Sequence, residues 1–169
     1  MASVTITNHP LGGYRLQSEI IIPRSIEEVF AFFSVAANLE RLTPPWLNFQ
    51  ILTPQPIVMH AGRLIDYKLR IRGVPVRWQS EITEWNPPYS FADESRRGPY
   101  KYWRHQHHFE ACDGGTRVVD DAHYGVMGGA LVHWLVVRRD VQKIFEFRQQ
   151  TLQQIFPAVT REAAAALTS

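Results

Sequence analysis

Between residues 49 and 127 apolar and polar positions alternate with a period near two, as in strands with one buried face. The alternation predicts strands over 49–53, 63–72, 75–85, 90–95, 101–112 and 116–127. An earlier alternating run, Tyr14 to Ile22, predicts a first strand, which Pro23 ends. The separators are turn chemistry: Gly73-Val74, Asn86-Pro87-Pro88, Gly98-Pro99 and Asp113-Gly114. Short connections predict antiparallel neighbours. Elsewhere the period lengthens. Ser25-Ile26-Glu27-Glu28 reads as a capping box, in which the Ser hydroxyl accepts from the Glu28 N–H and the Glu reaches back. Ile26, Val29, Phe30 and Phe33 follow at helical spacing, and a second short helix over 37–42 stops before Thr43-Pro44-Pro45. A long helix is predicted over 132–156, with Trp134, Val137, Val141, Ile144, Arg148, Leu152 and Ile155 on one stripe. Residues 1–13, broken by Asn8-His9-Pro10 and Gly12-Gly13, read as a loose lead-in, and 158–169 as an Ala-rich tail.

The fold class that follows is α+β, one domain over 1–169: a strand, two short helices, six strands, then one long helix. A seven-stranded antiparallel sheet has one apolar face to bury, and a single amphipathic helix covers only part of it. The sheet is therefore expected to curl around the helix and to leave a cavity, with the Pro44-Pro45-Trp46 segment at its mouth.

Composition narrows the partners. The chain has 169 residues, 45% hydrophobic and 12% aromatic with five Trp, enough for a sizeable core and for an aromatic-lined pocket. The net charge of +2 comes without a basic block, so nucleic-acid binding is not expected. The single cysteine, Cys112, excludes an internal disulfide and cysteine-based metal sites. No signal peptide is visible, and no apolar run approaches the ~20 residues that span a bilayer. A cytoplasmic protein without integral membrane association is expected, and a homodimer is compatible with the sequence.

The candidate chemistry lies on the strand Lys101–Cys112, whose apolar parity is Trp103, His105, His107, Phe109 and Ala111. Two histidines thus point inward, and buried imidazoles need partners. The Asp113-Gly114 turn pairs Cys112 with Gly115, and counting back sets Phe109 opposite Val118, His107 opposite Asp120, His105 opposite Ala122 and Trp103 opposite Tyr124. A Gly-first turn at Gly73-Val74 pairs Ile71 with Val76, Leu69 with Trp78 and Tyr67 with Ser80. A loop centred on Pro99 sets Asp93 opposite His105. Arg148 joins the group because it interrupts the apolar helix stripe. The inward polar set is Asp93, His105, His107, Asp120, Tyr67, Tyr124 and Arg148. Such a set suits a satisfied polar layer, the orientation of a ligand's polar group, or acid–base work. His105, His107 and Asp120 also have the composition of a two-histidine, one-carboxylate metal set. Either histidine is as readily held by a carboxylate alone, and neither a metal nor a cofactor is expected.

Several segments carry a family resemblance: Asn38-Leu39-Glu40-Arg41-Leu42-Thr43-Pro44-Pro45-Trp46, Gly73-Val74-Pro75-Val76-Arg77-Trp78 and Trp85-Asn86-Pro87-Pro88. Gly98-Pro99-Tyr100, Trp103-Arg104-His105-Gln106-His107-His108-Phe109 and Gly115-Thr116-Arg117 add to it. With the element order, these make the chain resemble the START-like (SRPBCC) helix-grip superfamily over about residues 14–160, and its bacterial cyclase/dehydrase-like, ligand-binding branch in particular. Members resemble single-domain proteins or modules attached to sugar-nucleotide epimerase-like domains, and their catalytic residues differ from branch to branch. The resemblance implies binding of a small or medium hydrophobic or aromatic ligand, such as a lipid, polyketide or quinone, between sheet and helix. Tyr67, Leu69, Trp78, Ile82 and Phe91 are expected to line the cavity, with Trp103, Phe109, Val118 and Tyr124 beside them. Val141, Ile144, Arg148 and Leu152 would close it. The alternatives are a cofactor-independent cyclase/dehydrase, with His105 or His107 as base tuned by Asp93 or Asp120, and a regulatory interaction module using the Pro44-Pro45-Trp46 rim. An exposed Trp46 is what the module requires.

Overall fold

A computed structural model describes residues 3–158 of the chain. Its strands are β1 (Ser3–Asn8), β2 (Tyr14–Ile22), β3 (Gln50–Ile51), β4 (Leu64–Ile71), β5 (Val74–Asn86), β6 (Ser90–Arg97), β7 (Tyr102–Cys112) and β8 (Gly115–Gly125). They form one open antiparallel sheet of eight strands in the order β1-β2-β8-β7-β6-β5-β4-β3. Two short helices, α1 (Ile26–Phe33) and α2 (Asn38–Arg41), and a 3-10 turn (Pro45–Leu47) separate β2 from β3. Helical residues from Gly129 to Ile155 follow the sheet as α3 (Gly129–Val132), a π-helical turn (His133–Val137) and α4 (Arg138–Ile155).

The eighth strand corrects the expected loose lead-in. Val4 and Ile6 alternate with Thr5 and Thr7, and the run pairs with β2 from Ser3 opposite Glu19 to Asn8 opposite Tyr14. Its breakers form the hairpin loop: the His9 N–H donates to the Gly13 carbonyl at 2.9 Å. Most of the tail expected over 158–169 lies outside the described residues.

The Asp113-Gly114 hairpin pairs β7 with β8 as the turn predicts, from Cys112 opposite Gly115 to Trp103 opposite Tyr124. The β4–β5 hairpin departs from expectation by two residues. Its two-residue turn is Arg72-Gly73, both at positive φ (51° and 84°), so Ile71 faces Val74, Leu69 faces Val76 and Tyr67 faces Trp78. A two-residue slip preserves the face, so the same side chains still point inward. From the turn, Arg72 reaches Asp140 on α4 through two hydrogen bonds of 2.9 and 3.0 Å. A β-bulge at Thr83 changes the parity of β5, so that Trp85 rather than Glu84 joins the core.

One face of the sheet is turned toward α4, which approaches it most closely at β1 and β2. Leu16, Ala122 and Tyr124 meet Val141 and Phe145, while Tyr67, Leu69 and Ile82 meet Ile144. Helix α1 covers the remaining end, where Phe30 and Phe33 pack edge-on against Phe109 at 5.3 and 5.2 Å. The Ser25 hydroxyl caps α1 by accepting from the Glu28 N–H at 3.3 Å, but the Glu28 carboxylate pairs with Arg24 instead of reaching back. The π turn rotates the start of the long helix. His133 is turned inward, where its Nε2 lies 3.0 Å from the Tyr124 hydroxyl, and Trp134, expected on the buried stripe, is 66% exposed.

Gly115 fixes the approach of β8 to β2. At φ +134° an added Cβ would lie 2.1 Å from the Ile22 carbonyl oxygen and 2.8 Å from the Pro23 Cα, whereas one on Gly114 meets nothing within 4 Å. Gly114→Ala is expected to cost about 1–2 kcal/mol of left-handed strain. Gly115→Ala is expected to cost about 3 kcal/mol or more, because backbone must move. Urea denaturation of the two variants checks the order.

Candidate functional site

A cavity of about 700 Å³ lies between the sheet and α4 and reaches the surface near Trp46 and Met127. Tyr67, Leu69, Trp78, Ile82, Phe91 and Trp103 line it from the strands, as expected. Val141, Ile144 and Arg148 line it from the helix, and Asp93, His105 and His107 give it one polar wall. Four expected lining residues lie elsewhere. Phe109 is roofed by Phe30 and Phe33, and Val118 and Leu152 belong to that same packed cluster. Tyr124 is covered by Tyr14, Trp103 and His133, so its hydroxyl is spent on a core bond rather than a ligand. Asp120 also stands behind the wall, with only 4% of its side chain exposed. Sequence reading missed Phe33, Tyr100 and Phe145, which line the cavity, and Ser80, whose hydroxyl lies 2.8 Å from the Tyr67 hydroxyl. Of these, Phe33 stood on the predicted helical stripe and Ser80 opposite the inward Tyr67, whereas Tyr100 and Phe145 carried no such signal.

The registers put Asp93 opposite His105 and Asp120 opposite His107, as the turns predict. The side chains then cross. Asp120 Oδ1 is 3.1 Å from His105 Nε2 and 2.8 Å from His107 Nδ1, the latter contact close but poorly aligned for a hydrogen bond. Asp93 Oδ2 is 3.3 Å from His107 Nε2 and 3.9 Å from His105 Nδ1. Each aspartate therefore touches both imidazoles. Arg148 supplies the countercharge from the helix, its Nε 3.4 Å from Asp120 Oδ2 and its guanidinium over the Phe33 ring. Aromatic packing fixes the rings: His107 stacks on Phe91 at 4.1 Å, and His105 meets Phe145 edge-on at 5.5 Å.

The charges follow from these contacts. Burial alone would raise the Asp120 pKa, but the Arg148 charge and the close contacts of His105 and His107 outweigh it and hold the group well below the usual carboxylate range. Asp93 is lowered in the same way: burial opposes, and the His107 bond with the His105, His107 and Arg148 charges prevails. For His105 burial dominates and the neighbouring His107 adds to it, so its pKa falls and the ring stays neutral. For His107 burial is overcome by its two aspartate contacts, and its pKa rises. The Tyr67 pKa is pushed up, chiefly by burial.

Asp120 titrates lower folded than unfolded, so the unfolded chain binds more protons between those two pKa values. Its contribution to stability is complete above about pH 5 and is lost as pH falls further. His105, also lowered, acts with the same sign below its ordinary value of about 6.5, and His107, raised, with the opposite sign. The urea midpoint is expected to fall steeply below about pH 5, and Asp120→Asn to flatten that limb. Arg148→Met, which strands buried carboxylate charge, is expected to cost about 3–5 kcal/mol at neutral pH, checked by the same titration.

Comparisons with known proteins agree with this architecture. A search of curated proteins finds no match. Among solved structures, protein Ms6760 from Mycobacterium smegmatis superposes with a TM-score of 0.66 at 16% identity, covering 94% of this chain and 100% of that one. A protein from Arthrobacter aurescens gives 0.68 at 14% identity, covering 94% and 95%. The nucleoside-diphosphate sugar epimerase from Corynebacterium glutamicum gives 0.57 at 21% identity, with 82% of this chain matching 28% of that longer one. These likenesses establish the helix-grip fold. The family model described as polyketide cyclase/dehydrase and lipid transport matches residues 22–149, most of the sheet and helix that enclose the cavity, and the chain belongs to that family.

Proposed function

We propose that the protein binds a medium-sized hydrophobic or aromatic molecule, of lipid, polyketide or quinone-like type, in the cavity between sheet and helix. The observation that carries this reading is the cavity itself. At about 700 Å³ it has the size of a small-molecule site, and its lining is mostly apolar, with the charged groups of Asp93, His105, His107 and Arg148 gathered on one wall. An apolar ligand body would pack on Trp78, Trp103 and Ile144, and its polar end would meet that wall. Trp46 is 58% exposed and stands at the mouth, its ring edge-on to Phe147. Its exposure meets the requirement of an interaction module, but its place at the mouth favours a role in ligand entry.

A second reading, a cofactor-independent cyclase or dehydrase, draws support from His105. Its Nδ1 borders the cavity, and the nearest carboxylate oxygen is 3.9 Å away. A substrate carbonyl seated there would offer an α-proton to a ring nitrogen already oriented through Nε2 by Asp120.

Trp78 and Trp103 allow fluorescence to report occupancy. Titration with a fatty acid and with a naphthoquinone is expected to quench wild-type emission saturably with at least one of them. Ile144→Trp, which fills the cavity from the helix, is expected to weaken that binding about tenfold or more while keeping the fold. No saturable binding, together with no ligand carried through native mass spectrometry, would overturn the proposal. Turnover of a poly-β-keto substrate that disappears in His105→Gln while ligand binding persists would establish the second reading.

A further inference from the structure

The Asp120 carboxylate touches one nitrogen of each imidazole, and the hydrogen bonds to the two aspartates fix what the ring nitrogens can do. A carboxylate only accepts hydrogen bonds, and two lone pairs held about 3 Å apart would repel. His105 Nε2, hydrogen-bonded to Asp120 Oδ1 at 3.1 Å, and His107 Nε2, hydrogen-bonded to Asp93 Oδ2 at 3.3 Å, therefore each carry a proton. His105 Nδ1 then keeps its lone pair, while His107 Nε2 gives Asp93 a proton that a bound cation would displace. Both of these atoms face Asp93 Oδ2, at 3.9 and 3.3 Å, and one donor atom from each of the three residues lies within 4.8 Å of the others. With that proton displaced, three electron-pair donors converge on one point of the cavity wall.

We infer that Asp93, His105 and His107 form a binding site for a divalent first-row transition-metal cation, with Asp120 as the carboxylate that orients both histidine ligands. The site has the donor set of a two-histidine, one-carboxylate centre. It also has the outer carboxylate that such centres use to fix the tautomer and direction of a ligating imidazole: Asp120 is hydrogen-bonded to His105 Nε2 and stands 2.8 Å from His107 Nδ1. Ligand atoms about 2.0–2.2 Å from a tetrahedral ion stand about 3.4 Å apart. The His107–Asp93 separation of 3.3 Å is already there, the His105–Asp93 separation of 3.9 Å is about half an ångström longer, and all three ligand atoms lie within 4.8 Å of one another. The charges agree as well. Two carboxylates against one guanidinium leave the cluster one negative charge when both rings are neutral. Arg148 sits on the far oxygen of Asp120, and its charge also reaches Asp93 and His107 from the same wall. The polar wall opens on the cavity, which leaves the remaining coordination positions to a ligand oxygen or water, as in catalytic rather than structural sites. The sequence-level set of His105, His107 and Asp120 had the right composition with the wrong carboxylate. The crossing of the side chains exchanges Asp93 for Asp120.

The test is calorimetric titration of the chelator-treated full-length chain with Zn²⁺, together with thermal denaturation with and without the ion. The expected result is one site with a dissociation constant in the micromolar range or tighter and a raised Tm. Asp93→Asn, nearly isosteric and on the cavity wall, is expected to weaken binding at least about tenfold, and His107→Gln similarly. The surface pair His9 and His123, whose rings stack at 3.6 Å, is the competing zinc trap, so His9→Ala/His123→Ala serves as control and is expected to bind as wild type does. Absence of binding, or binding kept by a folded Asp93→Asn and lost in the His9→Ala/His123→Ala variant, would overturn the inference. If His107→Gln does not fold, Asp93→Asn decides. The outcome does not depend on whether the cavity holds a hydrophobic ligand.

Discussion

One buried carboxylate ties the two layers of this protein together. Asp120 sits in the middle of β8, accepts from His105 and touches His107 on β7, and faces the only guanidinium that α4 sends into the core among the described residues. An unpaired charge at that depth would cost several kcal/mol. The sheet therefore tolerates Asp120 only with Arg148 across from it, and that fixes how the helix lies on the sheet. Around this contact the aromatic packing is ordinary core. On the cavity side of it, the neighbouring Asp93, His105, His107 and Arg148 form a polar wall able to recognise more than hydrocarbon. The site and the stability of the fold thus share residues, and substitutions in the wall are structural as well as functional changes.

The legible parts of the sequence were those governed by local chemistry. Asp113-Gly114 is a turn with a single comfortable geometry, and it set the whole β7–β8 register, including the neighbours of both histidines. Arg72-Gly73 was harder to read, because an arginine at positive φ carries no sequence signal and Gly73-Val74 looked equally plausible. The error was two residues, so the inward face survived it. Register also places Cβ atoms without choosing rotamers, and side chains long enough to reach diagonally crossed to their second neighbours. That is why the pairings of Asp93 and Asp120 were readable as neighbourhood and unreadable as bonds.

Features set by tertiary contact stayed hidden. Nothing in the run from His133 to Val137 announces a π turn, yet it takes Trp134 out of the stripe and puts His133 against Tyr124. The covering of Phe109 by α1 depends on where a separate element docks. Residues 3–8 read as a lead-in because breakers follow them, yet those breakers are the loop of a hairpin.

The link between Arg72 and Asp140 has a consequence for traffic into the cavity. Both residues border the opening, one on the tip of the β4–β5 hairpin and the other on the first turn of α4. The arginine is more than half exposed, and an ion pair in such a setting is worth at most about 1 kcal/mol, less in salt. That is within about twice the thermal energy. The doorway is therefore fastened by an exposed charge contact, while a buried one, at Asp120, holds the frame behind it. The entrance can part many times without the frame giving way.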